Sequence, residues 1–186
     1  GRSLSGRLKG VPVFQQITRL GQWITLPGLG TGIAPPALRT VVQRMAHPVL
    51  LAPPVPQAQL LVSLPQREAW SLDGLDWHRD VAASGALPGV QVFVLLDDLV
   101  PQGGATLALA GSHRLPHTLR GRHDVATLLA SSRGGPMDID GVGLSVLEMA
   151  GRAGDVYLMD MRLLHTPSRN AAKQPRIMAT MRFLAA

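Results

Sequence analysis

The chain has 186 residues, 46% of them apolar and 16% charged, enough for one domain with a substantial core and not a disordered composition. It has no cysteine, which excludes disulfide scaffolds, zinc ribbons, iron–sulfur clusters and thiol catalysis, so any metal must be held by His, Asp or Glu. The formal charge is +6, from 18 Lys+Arg against 12 Asp+Glu, but only Lys9 and Lys173 are lysine and the arginines are spread without a run, which argues against a nucleic-acid-binding arm.

Residues 1–33 read as a basic, glycine-spaced lead-in with little periodicity. Within it, Gly28-Leu29-Gly30-Thr31-Gly32 resembles a nucleotide loop, but Ile33 follows and no strand precedes it. A helical pattern, Ala37 to Met45, opens behind Pro35-Pro36, where proline's missing N–H costs least. The uncharged stretch from Met45 to Gln66 carries Pro48, Pro53, Pro54, Pro56 and Pro65, a density no membrane-spanning helix tolerates. Gly1-Arg2-Ser3-Leu4 lacks the apolar block of a signal peptide, so a soluble, cytoplasmic protein with no membrane partner is expected.

Strands are expected at 59–64, 74–81, 90–96, 105–110, 155–161 and 176–184. The clearest is Val90 to Leu96, β-branched and bounded by Pro88-Gly89 and Asp97-Asp98. Residues 114–153 read as a polar, glycine-containing insert with one helical turn near Val125 to Leu129, and an insert of that length is expected to be functional or mobile. The fold class expected is mainly β with a few flanking helices: a double-stranded β-helix, the jelly roll of cupin-like proteins. It would form a single domain over 1–186, with a helical or irregular lead-in over 1–56 and a jelly-roll core over 57–186.

His78 and Asp80 lie two apart in an expected strand, so their side chains share a face. A histidine from a distant strand, His165, could complete a two-His, one-carboxylate face, a ligand set that suits Fe(II) and leaves positions open. Zinc, preferring four ligands, has no thiolate to recruit. Alone, H-x-D is a weak signal, equally a surface histidine beside a solvated aspartate. Arg176 adds to it, because an arginine within the apolar strand 176–184 needs an anion, and a dicarboxylate would supply one.

Two other readings stay open at this level. Arg176 and Arg182, with Thr180 between, resemble the arginine pair of oxygenases that dealkylate nucleic acid, although Met178 stands at that family's asparagine and the interval from His78 to His165 is long for it. A non-oxidative, cupin-type metal binder is the other, although His47, His113, His117 and His123 lie off the expected strand faces. Asp138-Ile139-Asp140-Gly141 lacks the spacing of a calcium loop. Trp23, Trp70 and Trp77 read as core or rim residues.

Trp77-His78-Arg79-Asp80, then Leu96-Asp97-Asp98 leading to Gly103-Gly104-Ala105-Thr106, then Gly111-Ser112-His113-Arg114, Gly154-Asp155-Val156, and His165 through Asn170 to Arg176 occur in this order. In these segments the chain resembles the phytanoyl-CoA dioxygenase (PhyH) family of Fe(II)/2-oxoglutarate oxygenases, over roughly 57–186. The resemblance implies that His78, Asp80 and His165 bind iron and that Arg176 pairs with the distal carboxylate of 2-oxoglutarate. It places Thr106, Gln91 and Phe93 in the cofactor pocket, and it reads His113 and Asp155 as structural. The implied activity is an O2-dependent dioxygenase that decarboxylates 2-oxoglutarate to succinate and hydroxylates a small-molecule metabolite, an anionic one if the arginine excess is functional. Asp80 speaks against halogenation, for which related enzymes carry a small residue. Pro167 stands where many members place a small hydroxyl residue.

Overall fold

The β-branched run predicted as a strand is one, β2 (Gly89–Leu95), and it is buried along its whole length. That burial sets the architecture, since a strand with no solvated face must be covered on both sides. A computed structural model of the protein describes residues 28–49, 51, 58–81, 86–115, 118–119, 121–132 and 135–186. Trp23, His117 and most of the proline-rich link lie outside these.

In chain order the elements are α1 (Leu29–Ile33), α2 (Pro36–Ala46), β1 (Gln59–Ser63), β2, β3 (Thr106–Ala110), a short 3-10 helix (Ser112–Arg114), α3 (Arg122–Ser132), β4 (Met137–Ile139), β5 (Val142–Glu148), β6 (Val156–Asp160), β7 (His165–Pro167) and β8 (Arg176–Leu184). The strands form two four-stranded sheets, β1-β8-β2-β6 and β4-β5-β3-β7, with every pairing antiparallel. The fold is a jelly roll, mainly β with few helices.

Side-chain parity along the strands divides the core. The even positions Val90, Val92 and Val94 of β2, with Ala179, Met181 and Phe183 of β8, pack outward against Ile33, Ala34, Val42 and Ala46 at the helices. The odd positions Phe93 and Leu95, with Met178 and Met159, pack inward against Ala105 and Ala108 of the second sheet. A third cluster covers the second sheet's outer face, where Leu107 and Leu109 meet Trp77, Leu115, Val125, Leu129 and Leu164. At about 1.5–3 kcal/mol for each large apolar side chain fully buried, the strand faces that form these three layers dominate the stabilisation. Trp77 is spent in the outer cluster, with Trp70 packed against it. Among the described residues no helix is long and apolar enough to cross a membrane.

Two sequence expectations are corrected. The strand expected at 74–81 is irregular backbone, paired with the sheets only at His78. Gly74 interrupts it at φ +69°, and an Asp73 turn closed by Ser71 precedes it. Residues 114–153 are not a polar insert with one helical turn: they hold the eleven-residue α3 and two strands, and β5 lies between β4 and β3 in the second sheet. The signal was present as Val142, Leu144 and Val146 alternating with smaller residues, behind Asp140-Gly141. Both turn residues have positive φ, +52° and +74°, the conformation of a two-residue hairpin turn. The Asp138 carboxylate accepts the Gly141 N–H at 3.0 Å. The apparent nucleotide loop, Gly28 to Gly32, runs into α1.

Candidate active site

A pocket opens between the two sheets. It is lined from the first sheet by Gln59, Leu61, Gln91, Phe93, Arg176, Thr180 and Arg182, and from the other side by His78, Asp80, Thr106, His165 and Pro167. Strand register explains the first group. Gln91 lies opposite Arg182 and Phe93 opposite Thr180 across β2 and β8, while Gln59 lies opposite Thr180 and Leu61 opposite Met178 across β1 and β8. These positions share one parity and therefore one face. Every residue the sequence singled out for iron or co-substrate, His78, Asp80, His165, Arg176, Thr106, Gln91 and Phe93, lines this pocket.

The two histidines are brought together by backbone. His78 and His165 exchange both main-chain hydrogen bonds, 3.0 Å each way, which sets their rings 4.6 Å apart. Each ring is oriented by its own Nδ1, which lies 2.7 Å from the Asp76 carbonyl oxygen in His78 and 3.1 Å from that of Leu163 in His165. A carbonyl only accepts, so Nδ1 carries the proton and the Nε2 lone pair faces the site. His78 Nε2 stands 3.9 Å from Asp80 Oδ1, and His165 Nε2 3.7 Å from Oδ2. One ligand atom from each of the three lies within 4.8 Å of the others, a grouping able to hold a divalent ion. Burial pushes the His165 ring below its ordinary pKa, against the opposing pull of the Asp80 carboxylate, which keeps it a neutral donor.

Arg176 forms the opposite end of the pocket. Only 2% exposed, it is the largest fully buried side chain described. Its Nη1 lies 2.9 Å from the Met178 sulfur, a weak acceptor, while Nε and Nη2 have no hydrogen-bond partner among the described residues. Burial pulls its pKa down to about 10, so the group is still a cation at neutral pH. A buried guanidinium with open donors has the chemistry to pair with an anion.

Arg176 is also firmly placed. Asn170, fully buried, donates through Nδ2 to the Ser63 carbonyl at 3.1 Å and the Gln174 carbonyl at 2.8 Å, which joins the end of β1 to the turn entering β8. Gly104 lets that turn approach: its φ is +85°, and a Cβ there would lie 2.7 Å from that of Asn170. Between the ends of the pocket, Thr180 donates to the Val92 carbonyl at 2.9 Å and accepts from Gln91 Nε2 at 3.0 Å. The Gln91 Oε1 is left as a buried acceptor without a partner among the described residues.

Two arginines beside the triad were not given these roles by sequence reasoning. Arg182, 46% exposed at its side chain, sets Nη2 2.7 Å from Asp80 Oδ2. The even-position parity of β8 is the signal that could have placed it, since Arg182 repeats the face of Arg176. Arg79 turns away from the pocket, and its partners are all backbone carbonyls, which no sequence pattern announces. His113 is not among the grouped ligands; it sits in the 3-10 helix, where burial lowers its pKa.

A jelly roll with two histidines and a carboxylate converging across from a buried arginine defines the class of the site. The chain belongs to the phytanoyl-CoA dioxygenase (PhyH) family, whose model matches residues 34–178. Among solved structures, that of AviO1 from Streptomyces viridochromogenes Tue57 is 26% identical, with a TM-score of 0.57 over 81% of this chain and 57% of that one. SnoN, the epimerase of nogalamycin biosynthesis in complex with Fe3+, alpha ketoglutarate and nogalamycin RO, shares the fold at 18% identity and a TM-score of 0.55, over 86% of this chain and 58% of that one. EctD from S. alaskensis in its apoform does so at 18% identity and a TM-score of 0.56, over 86% and 53%. The chain thus spans a little over half the length of each of these proteins. No curated protein matches it in sequence.

Proposed function

We propose that the protein is a non-haem Fe(II)- and 2-oxoglutarate-dependent dioxygenase that hydroxylates a small-molecule metabolite. The observation that carries this reading is one pocket holding both a His78–Asp80–His165 grouping and, across from it, a buried Arg176 with two open donors. A metal-binding jelly roll without a co-substrate would leave that arginine without its anion. The residues fit the group: imidazole and carboxylate suit ferrous iron, and three protein ligands leave positions open on one face. Iron held there, with 2-oxoglutarate and O2, supplies the oxidising chemistry, and the balanced outcome is substrate C–H to C–OH with release of succinate and CO2.

What the chain's own residues do follows from their placement. His78 and His165 present Nε2, and Asp80 a carboxylate oxygen, as the three ligands. Arg176 takes the distal carboxylate of 2-oxoglutarate through Nε and Nη2. Leu61, Phe93 and Pro167 contribute apolar surface to the pocket lining. Gln91 Oε1 accepts a hydrogen bond from a donor on the occupant. Pro167 offers no hydroxyl, so the co-substrate's carboxylate rests on Arg176 without help from that position. Asp80 as third ligand favours hydroxylation over halogen transfer.

The test is an anaerobic titration with Fe(II) and 2-oxoglutarate, monitored for the visible metal-to-ligand charge-transfer band. The band is expected only with both components and is expected to vanish in Asp80→Ala. A folded, metal-bound protein with no band would withdraw the oxygenase reading in favour of a non-oxidative cupin-type binder.

A further inference from the structure

Arg79 stands between the two candidate ligands of its segment, and its side chain leaves on the side away from the pocket. Its Nε donates to the Arg162 carbonyl at 2.7 Å, Nη1 to the Leu119 carbonyl at 2.6 Å, and Nη2 to the Ser112 carbonyl at 3.1 Å. No carboxylate is among these partners, so the arrangement is a cation seated in backbone dipoles rather than an ion pair.

The three acceptors belong to three separate pieces of chain. Arg162 lies in the turn between β6 and β7, three residues before His165. Ser112 begins the 3-10 helix, and its hydroxyl also accepts the Leu164 N–H at 2.9 Å. Leu119 is part of the buried cluster that covers the outer face of the second sheet. One side chain therefore fastens the segment that bears His78 and Asp80 to the turn that leads into His165. Among the described residues that segment forms no strand, and its sheet pairing is the single bridge at His78.

We propose that Arg79 is a positioning residue for the metal centre, a clamp that acts with the backbone bridge between His78 and His165 to hold the His78–Asp80 segment in place beside His165. The inference rests on the metal reading above and adds to it a determinant outside the pocket. Arginine is required because its planar fork reaches three acceptors in different directions, whereas an ammonium is a single point of charge.

The test is titration of the full chain with Co(II), whose ligand-field absorption reports coordination as well as binding. The proteins compared are wild type, Arg79→Lys, Arg79→Gln and a surface control, Arg169→Lys. Expected are wild-type behaviour in the control, and in both Arg79 variants a Co(II) affinity about 10- to 100-fold weaker with altered ligand-field bands at saturation, in folded protein. Wild-type affinity and spectrum in either folded Arg79 variant would overturn the proposal while leaving the metal reading intact. Global unfolding of both variants would assign Arg79 to the fold rather than to the centre, and would equally overturn it. No Co(II) binding by folded wild type would remove the metal reading, and this one with it.

Discussion

Arg176 shows how a residue can work against its own fold. Burial lowers its pKa to about 10, which corresponds to about 3 kcal/mol carried by the ligand-free protein as the cost of an under-partnered cation. The sign is definite: the unfolded chain holds this proton more tightly, so the penalty is in full force at neutral pH and fades only as pH rises above 10. Methionine at this position fills similar volume without charge. Arg176→Met is therefore expected to raise the ligand-free melting temperature, by the equivalent of about 1–3 kcal/mol, while abolishing the additional stabilisation that 2-oxoglutarate gives the metal-loaded wild type. Thermal melts with and without 2-oxoglutarate check both halves. A variant that still responds to 2-oxoglutarate would move the anchor to Arg182.

At the scale of elements, β8 and the β4–β5 hairpin differ in how strongly their sequences signal a strand. Arg176 to Leu184 was legible because its alternation is strong, with apolar residues at 177, 179, 181 and 183 and the chemistry at even positions. The hairpin is less legible because glycine and serine alternate there with valine and leucine, which weakens the apolar signal, and Asp138 to Gly141 has the look of a partial calcium loop. Its role is structural, and it can be separated from the site. Gly141 has φ +74° and nothing within 4 Å of where a Cβ would stand, so Gly141→Ala costs backbone strain alone, about 1 kcal/mol. Chemical denaturation should register that loss, while metal and 2-oxoglutarate affinity stay unchanged. A shift in either affinity would mean that the hairpin communicates with the pocket.

For the molecule as a whole, the site draws its residues from both sheets and from the irregular segment between β1 and β2, so its protonation is coupled to global stability. The His165 ring sits below its ordinary pKa chiefly through burial. As pH falls through the ordinary histidine range, the unfolded chain takes up a proton that the folded one refuses, and stability is lost on acidification from neutrality. In metal-free protein, the slope of unfolding free energy against pH over that range is expected to be shallower in His165→Gln than in wild type. Equal slopes would place the pH sensitivity in other groups.

The sequence by itself determined the periodicities, the turn residues and the inventory of chemistry: a cysteine-free chain, an H-x-D, a distant histidine and an arginine in an apolar strand. These are local properties, set by residue type and spacing. Only the tertiary structure decided that His78 and His165 exchange backbone hydrogen bonds, that Arg182 meets Asp80, that Arg176 is left with open donors, and that Arg79 finds three carbonyls. It also decided that 74–81 need not be a strand for His78 and Asp80 to converge with His165. The physical reason is that a ligand group is a matter of distances between segments far apart in the chain. Those distances follow from strand register and from backbone acceptors that carry no sequence signature.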